Sequence, residues 1–282
     1  MGLSGFININ KPSGMSSAYA VSKVKRMAHV PCGHMGTLDP LASGVLPVAV
    51  GNAARLFNYF LDKDKVYRAV FRFGVETDTL DITGTFLREK LPVPSEEEVR
   101  EALSCFIGEI DQIPPAFSAK SVGGVRAYKL ARQGKEVVLS SKRVRIDNIS
   151  LEGREGDCFE FCICCGGGTY IRSLARDIAE KCGTNAIMTS LVREKSGPFI
   201  LDNSVTPEIL ADAKLEDFLI PTDSVFQMPT LYFVGDQAKK LSNGIALPFD
   251  GKAGEYKLYF DGNFYGIACV TGGTVRTKVK LV

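Results

Sequence analysis

Histidine is scarce in this chain. Only His29 and His34 occur among 282 residues, five positions apart. A Ser-His-Asp hydrolase would have to use one of them, and no Gly-x-Ser-x-Gly nucleophile elbow is present. The Gly-x-x-x-x-Gly-Lys-[Ser/Thr] loop that cradles nucleotide phosphates is missing too. The run Gly166-Gly167-Gly168 lacks the spacing of a dinucleotide fingerprint. No apolar stretch approaches the roughly 18 residues that a membrane helix needs. The opening residues do not combine a basic segment, an apolar stretch and a cleavage site. The expectation is a cytoplasmic protein with no membrane association. There is no internal repeat and no low-complexity tract.

What is present is the composition of a globular protein, 45% hydrophobic and 23% charged, long enough for one large domain and a small one. Eight cysteines occur, but disulfides are improbable in a cytosolic chain. Cys162-Ile163-Cys164-Cys165 lies in a stretch that reads as a strand, where free cysteine behaves as a small hydrophobe. Paired Cys-x2-4-Cys ligands are absent, so no metal site is expected. With no metal and no cofactor motif, any chemistry must rest on carboxylate, tyrosine and arginine.

The net charge is only +2, yet residues 112–146 hold Lys120, Arg126, Lys129, Arg132, Lys135, Lys142, Arg143 and Arg145 against Glu136 alone. Gly123-Gly124 and Gly134 interrupt this segment. Such one-sidedness predicts a mobile basic arm with a polyanionic partner.

Periodicity supplies the elements. Residues 5–10 read as an opening strand, followed by a helix capped by Ser16 or Ser17 with Val21, Val24 and Ala28 on its apolar face. Residues 66–73 read as a strand with Tyr67, Ala69, Phe71 and Phe73 on one side. Ser95 caps a helix with three glutamates in its first turn. Strands are expected over 143–151 and 158–165, and a helix over 173–181. Residues 221–229 read as a linker. Beyond them, short strands over 256–260, 264–270 and 275–282 flank an Asp261-Gly262 hairpin turn.

The densest signal is Gly33-His34-Met35-Gly36-Thr37-Leu38-Asp39-Pro40, running into Leu41-Ala42-Ser43-Gly44-Val45-Leu46-Pro47. Gly33 and Gly36 permit backbone angles closed to other residues, and Pro40 biases Asp39 toward an extended conformation. Local chemistry leaves two readings open. Asp39 either caps a turn, as Asp-Pro pairs commonly do, or is a carboxylate held at a fixed angle for chemistry.

This motif resembles the catalytic motif of the TruB family of tRNA pseudouridine synthases. Further segments match in the family's order: residues 10–17, Lys65-Val66-Tyr67-Arg68, residues 77–84, residues 112–119, Gly168-Thr169-Tyr170-Ile171-Arg172-Ser173-Leu174 and Leu191-Val192-Arg193. The resemblance covers nearly the whole chain. It implies an α+β fold: a catalytic domain over 1–225 with a mixed, largely antiparallel sheet and a basic thumb insertion at about 118–146, then a small PUA-like β-barrel over 229–282 that binds RNA.

The implied reaction is isomerisation of uridine 55 in the T arm of tRNA. It requires no cofactor, which suits the inventory above. A glycoside hydrolase would normally use two carboxylates and admit water. By resemblance, Asp39 is the catalytic carboxylate, acting as nucleophile or as base, and Arg172 pairs with it. Tyr67 stacks on the target base near its reacting carbon. Tyr170 contacts the base, Leu191 walls the pocket, and His34 fills the stack vacated by the flipped uridine. Lys120, Arg126, Lys129 and Arg132 are expected on the RNA backbone. Lys11-Pro12 reads as bracing for the Asp39 loop, and Asp78 and Asp81 as a hydrogen-bonded turn nearby. The expected partner is the T-stem loop of tRNA, bound by a monomer without an obligatory protein partner. The rivals are a guide-RNA-dependent synthase subunit, a noncatalytic tRNA-binding or folding module, and a nucleoside hydrolase.

Overall fold

A computed structural model describes residues 3–118, 120–135 and 137–282. Ala119, Glu136 and the first two residues lie outside that description.

The centre of the molecule is a nine-stranded sheet. Its main path runs Gly5–Lys11, Ser43–Val50, Ala186–Ser196, Lys65–Phe73, Cys158–Cys165, Lys142–Glu155 and Gly108–Gln112. Cys32–His34 pairs with Ser43–Val50, and Phe199–Ile200 with Ala186–Ser196. Every pairing is antiparallel except that of Ala186–Ser196 with Ser43–Val50. At that parallel junction Gly44 has φ +98°, and a Cβ there would meet the Arg193 carbonyl oxygen at 2.3 Å. Only glycine lets the two strands come so close.

Tyr67, Ala69, Phe71 and Phe73 do share the buried face of their strand, as a period of two requires. The helices Ser17–Ala28, Glu96–Leu103 and Ile171–Lys181 carry buried stripes that join the same core. Ser95 forms the full capping box with Glu98. At the first helix Ser16 is the cap, accepting from Tyr19 N–H at 3.1 Å. Ser17 is thereby left for another task.

The basic segment differs from the expected arm. Ser121–Val122 and Val125–Arg126 form a hairpin through Gly123-Gly124, and Ala127–Arg132 is a helix. Arg143 and Arg145 belong, as expected, to a strand, which starts at Lys142 and runs to Glu155. There Arg143 pairs with Glu109 at 3.1 Å, and Arg145 with Asp147 at 2.8 Å and with Asp64. Glu109 and Asp64 lie far from these arginines in sequence, so a linear charge count does not register them, whereas Asp147 is two residues from Arg145 on the same strand.

The C-terminal strands Thr230–Phe233, Gly254–Phe260, Asn263–Thr271, Thr274–Lys280 and Leu247–Pro248 form a second sheet, curled into a PUA-like half-barrel. Asp261 and Gly262 make its tight turn at positive φ. Residues 221–229 are no free tether, because Thr222 and Phe226 are buried. Phe226, Ile267 and Leu281 share one apolar cluster with Phe6, Met35, Val45 and Phe60. Among the described residues, no helix is long and apolar enough to cross a membrane.

Candidate active site

Asp39 lies in the turn between Cys32–His34 and Ser43–Val50, and its carbonyl accepts from Ala42 N–H at 3.1 Å. Three buried side chains fix this turn. Ser17 donates its hydroxyl to the Leu38 carbonyl at 2.7 Å and accepts from Leu38 N–H at 2.8 Å. Lys11 donates from Nζ to the carbonyls of Pro12 at 2.9 Å, Met15 at 2.7 Å and Pro40 at 3.3 Å. Arg193 donates to Val45 at 2.7 Å, Gly36 at 3.0 Å and Thr37 at 3.3 Å. The peptides on both sides of Asp39 are thus anchored from distant elements. Its own carboxyl remains 37% exposed.

Gly36 sits at φ +147°, whereas Gly33, in the short Cys32–His34 strand, needs no left-handed angle. The conformational freedom expected at Gly33 is not used, because strand pairing with Ala49 keeps it extended.

Arg172 meets the Asp39 carboxylate, Nε to Oδ2, at 2.9 Å, and is only 5% exposed. Its remaining donors go to the carbonyls of Thr79 at 2.9 Å and Phe117 at 3.0 Å, and Nη1 lies 3.5 Å from Asp81 Oδ2. Asp81 is buried and accepts on Oδ1 from Thr83 N–H at 3.0 Å and from the hydroxyls of Thr79 and Thr83. A buried guanidinium needs partners for its whole fork, and this one has two carboxylates and two carbonyls.

Tyr67 stands directly opposite Arg193 in the strand register, and Leu191 opposite Ala69. Register partners face the same side of a sheet, so Tyr67, Ala69, Leu191 and Arg193 line one buried surface. Burial pushes the Tyr67 hydroxyl above its ordinary pKa, and the guanidinium of Arg193 opposes that rise. Asp39 is near enough for its charge to act on Tyr67.

Tyr170 immediately precedes the Ile171–Lys181 helix. Its N–H donates to Gln112 Oε1 at 2.8 Å and its carbonyl accepts from Gln112 Nε2 at 3.1 Å. His34 is half-buried with Nδ1 unpartnered. Burial, then the nearby Arg193 cation, hold its pKa below the ordinary value, so the ring is neutral at pH 7. Burial lowers Lys11 from 10.5 to about 8, against the pull of Asp39.

The structure therefore brings Asp39 and Arg172 into contact, with Tyr67, Leu191, Tyr170 and His34 on the elements that adjoin them. Lys120 donates to the Ser140 carbonyl at 3.0 Å, and Arg132 lies over the Tyr128 ring at 5.6 Å. Arg126 and Lys129 are exposed on the hairpin and its helix. Phe117, at the base of this arm, supplies the carbonyl bound by Arg172. Among the described residues no cluster of His, Cys, Asp and Glu could hold a metal.

Arg193 and Gln112 stand inside matched motifs, but the sequence assigns neither of them a role. Their partners are backbone groups far away in sequence, 58 residues away for Gln112.

Comparison with known proteins fits this geometry. Residues 24–171 match the TruB family pseudouridylate synthase N-terminal domain, and residues 172–227 the tRNA pseudouridylate synthase B C-terminal domain. The tRNA pseudouridine synthase B of Acaryochloris marina is 40% identical over 285 residues, covering 98% of both chains. That of Anaplasma marginale is 44% identical over 227 residues, covering 78% of this chain and 74% of its own. Two solved structures share the fold. One is an H/ACA RNP bound to a substrate RNA containing 2′-deoxyuridine, with TM-score 0.73, 22% identity, and 99% of this chain and 85% of that chain covered. The other is a Cbf5-Nop10-Gar1 complex, with TM-score 0.73, 24% identity and the same coverage. With two consecutive domain matches and relatives of this identity along nearly its full length, the chain belongs to the TruB family of pseudouridylate synthases.

Proposed function

We propose that this chain isomerises uridine 55 in the T arm of tRNA to pseudouridine, working without guide RNA or partner protein. The observation that carries the reading is the Asp39–Arg172 pair, a single anchored carboxylate with its open side toward solvent. The reaction breaks the bond from N1 of uracil to C1′ and forms a bond from C5 to C1′; the C5 hydrogen leaves as a proton and N1 gains one. Both roles open to Asp39, nucleophile or base at the sugar, need an ionised carboxylate with a fixed aim. A charge-assisted contact to a buried arginine holds the carboxylate and sets its direction.

A paired base is out of reach, so the uridine must be extruded. In this reading Tyr67 stacks on the flipped base. Its raised pKa keeps the phenol protonated at neutral pH, so it contributes a neutral ring and hydroxyl. Leu191 closes the pocket and limits water, which would otherwise trap the opened sugar. Tyr170, held by Gln112, contacts the base, and neutral His34 occupies the vacated stack. Residues 1–225 form the catalytic domain, with the arm at about 118–146 gripping the T stem through Lys120, Arg126, Lys129 and Arg132. Residues 229–282 form the PUA-like RNA-binding domain.

The test is conversion of a T-arm transcript by the purified chain with no guide RNA and no added protein. Pseudouridine at position 55 supports the reading. Conversion only when a guide RNA is supplied would favour the guide-dependent rival.

A further inference from the structure

No acidic residue lies between Leu3 and Leu38. The cations of that stretch are Lys11, buried beneath the Asp39 turn, and Lys23, Lys25 and Arg26 of the Ser17–Ala28 helix. Lys25 and Arg26 are exposed and Lys23 is half-buried. Tyr19, 51% exposed, lies beneath the Lys23 ammonium at 5.6 Å. Tyr19, Ser22, Lys25 and Arg26 line a shallow hollow on the outer side of the helix.

The elements packed against this helix carry Glu208, Glu216 and Asp217. Among the described residues none of these forms an ion pair with Lys23, Lys25 or Arg26. The helix dipole favours cations in the last turn, but it explains neither the lack of any acid on the helix nor the exposed aromatic beside the charges.

The helix is also tied to the site. Its first residue, Ser17, makes two hydrogen bonds to Leu38, the neighbour of Asp39. The helix is about 18 Å long, at 1.5 Å per residue over 12 residues, and its cations lie in its second half.

We propose that the outer face of the Ser17–Ala28 helix is a second phosphate track, on which Lys23, Lys25 and Arg26 contact the sugar–phosphate backbone of the substrate RNA. This rests on the proposed tRNA reading and extends it, because the track belongs to a different element from the basic arm. Exposed and half-buried cations that form no ion pair among the described residues, one of them beside an exposed aromatic ring, are groups that bind backbone without reading sequence.

The test is the affinity of the full-length chain for a tRNA transcript as a function of salt. The variant carries Lys23→Ala, Lys25→Ala and Arg26→Ala, and a control carries Lys23→Arg, Lys25→Arg and Arg26→Lys. Each phosphate contact contributes about 0.7–0.9 to the slope of log affinity against log salt. Loss of about two contacts should flatten the slope by about 1.5 units and weaken binding about ten-fold near 0.1 M salt. The charge-conserving control should keep the wild-type slope. A wild-type slope in the alanine variant overturns the proposal, as does weaker binding with an unchanged slope, which would mark a structural defect. The wild type is assayed for conversion of the same transcript. A wild type that binds this RNA with the full slope but makes no pseudouridine defeats the functional reading while leaving the track standing.

Discussion

A carboxylate acts on a nucleoside only while it is aimed, and Arg172 fixes the aim of Asp39. Asp39→Asn keeps the shape but removes charge, basicity and nucleophilicity. Isomerisation should fall to background while tRNA affinity stays near normal, since phosphate and stem contacts dominate binding. Turnover above background would remove Asp39 from its role. Arg172→Lys keeps the charge but loses the fork that reaches Asp39, Thr79 and Phe117 together. The single-turnover rate should drop about 100-fold, or about 2.7 kcal/mol, with little change in affinity. A near-normal rate would show that the pair is structural only. Tyr67→Leu should lose stacking worth about 1–3 kcal/mol per base, and Tyr67→Phe separates ring from hydroxyl. If both variants turn over like wild type, Tyr67 is an ordinary core residue. At this scale the family motifs made Asp39, Tyr67 and Arg172 legible. Arg193 was not, because its importance comes from carbonyls at positions 36, 37 and 45, which approach only when the parallel strand pair forms.

Elements of the molecule were read well where periodicity and caps are local. The 66–73 and 158–165 strands, the Ser95 cap and the helix before Gly183 all depend on neighbours within a few residues. The basic segment is less legible, since Arg143 meets Glu109 on the neighbouring strand and Arg145 meets Asp64, far off in sequence, as well as Asp147 on its own strand. The arm proper is therefore reduced to Lys120, Arg126, Lys129, Arg132 and Lys135. Replacing Arg126, Lys129 and Arg132 by alanine should flatten the salt slope of tRNA affinity by up to about 3 units, with less effect on turnover at saturating tRNA. An unchanged slope would make the arm a solvated surface. The Lys11 brace has a pH signature. Below about pH 8 its ammonium has three donors for the Pro12, Met15 and Pro40 carbonyls. As pH rises through about 8 the proton is lost, and an amine with two N–H groups leaves one carbonyl unserved. The single-turnover rate should fall on that alkaline side with a midpoint near 8. A profile flat to pH 9.5 would show that the Asp39 turn does not depend on this charge.

The whole molecule behaves as one packed body, because the C-terminal half-barrel shares an apolar cluster with the catalytic sheet. Ile267, fully buried on the barrel side, packs in the same cluster as Phe6 and Val45 of the main sheet. Ile267→Ala should cost about 2–5 kcal/mol in a single cooperative unfolding transition followed by denaturant. Two separate transitions would mean that the halves fold independently. A shared core of this kind gives the surfaces proposed to contact RNA a fixed geometry relative to Asp39, which a tether over 221–229 could not. The central claim is that this geometry rearranges a uridine and does not hydrolyse it. The most direct measurement is tritium release from a T-arm transcript carrying 5-tritiated uridine, with free uracil assayed in parallel. The account predicts stoichiometric tritium release from position 55, no free uracil, and loss of both signals in Asp39→Asn. Free uracil as the product, or a transcript that is bound but retains its tritium, would contradict it.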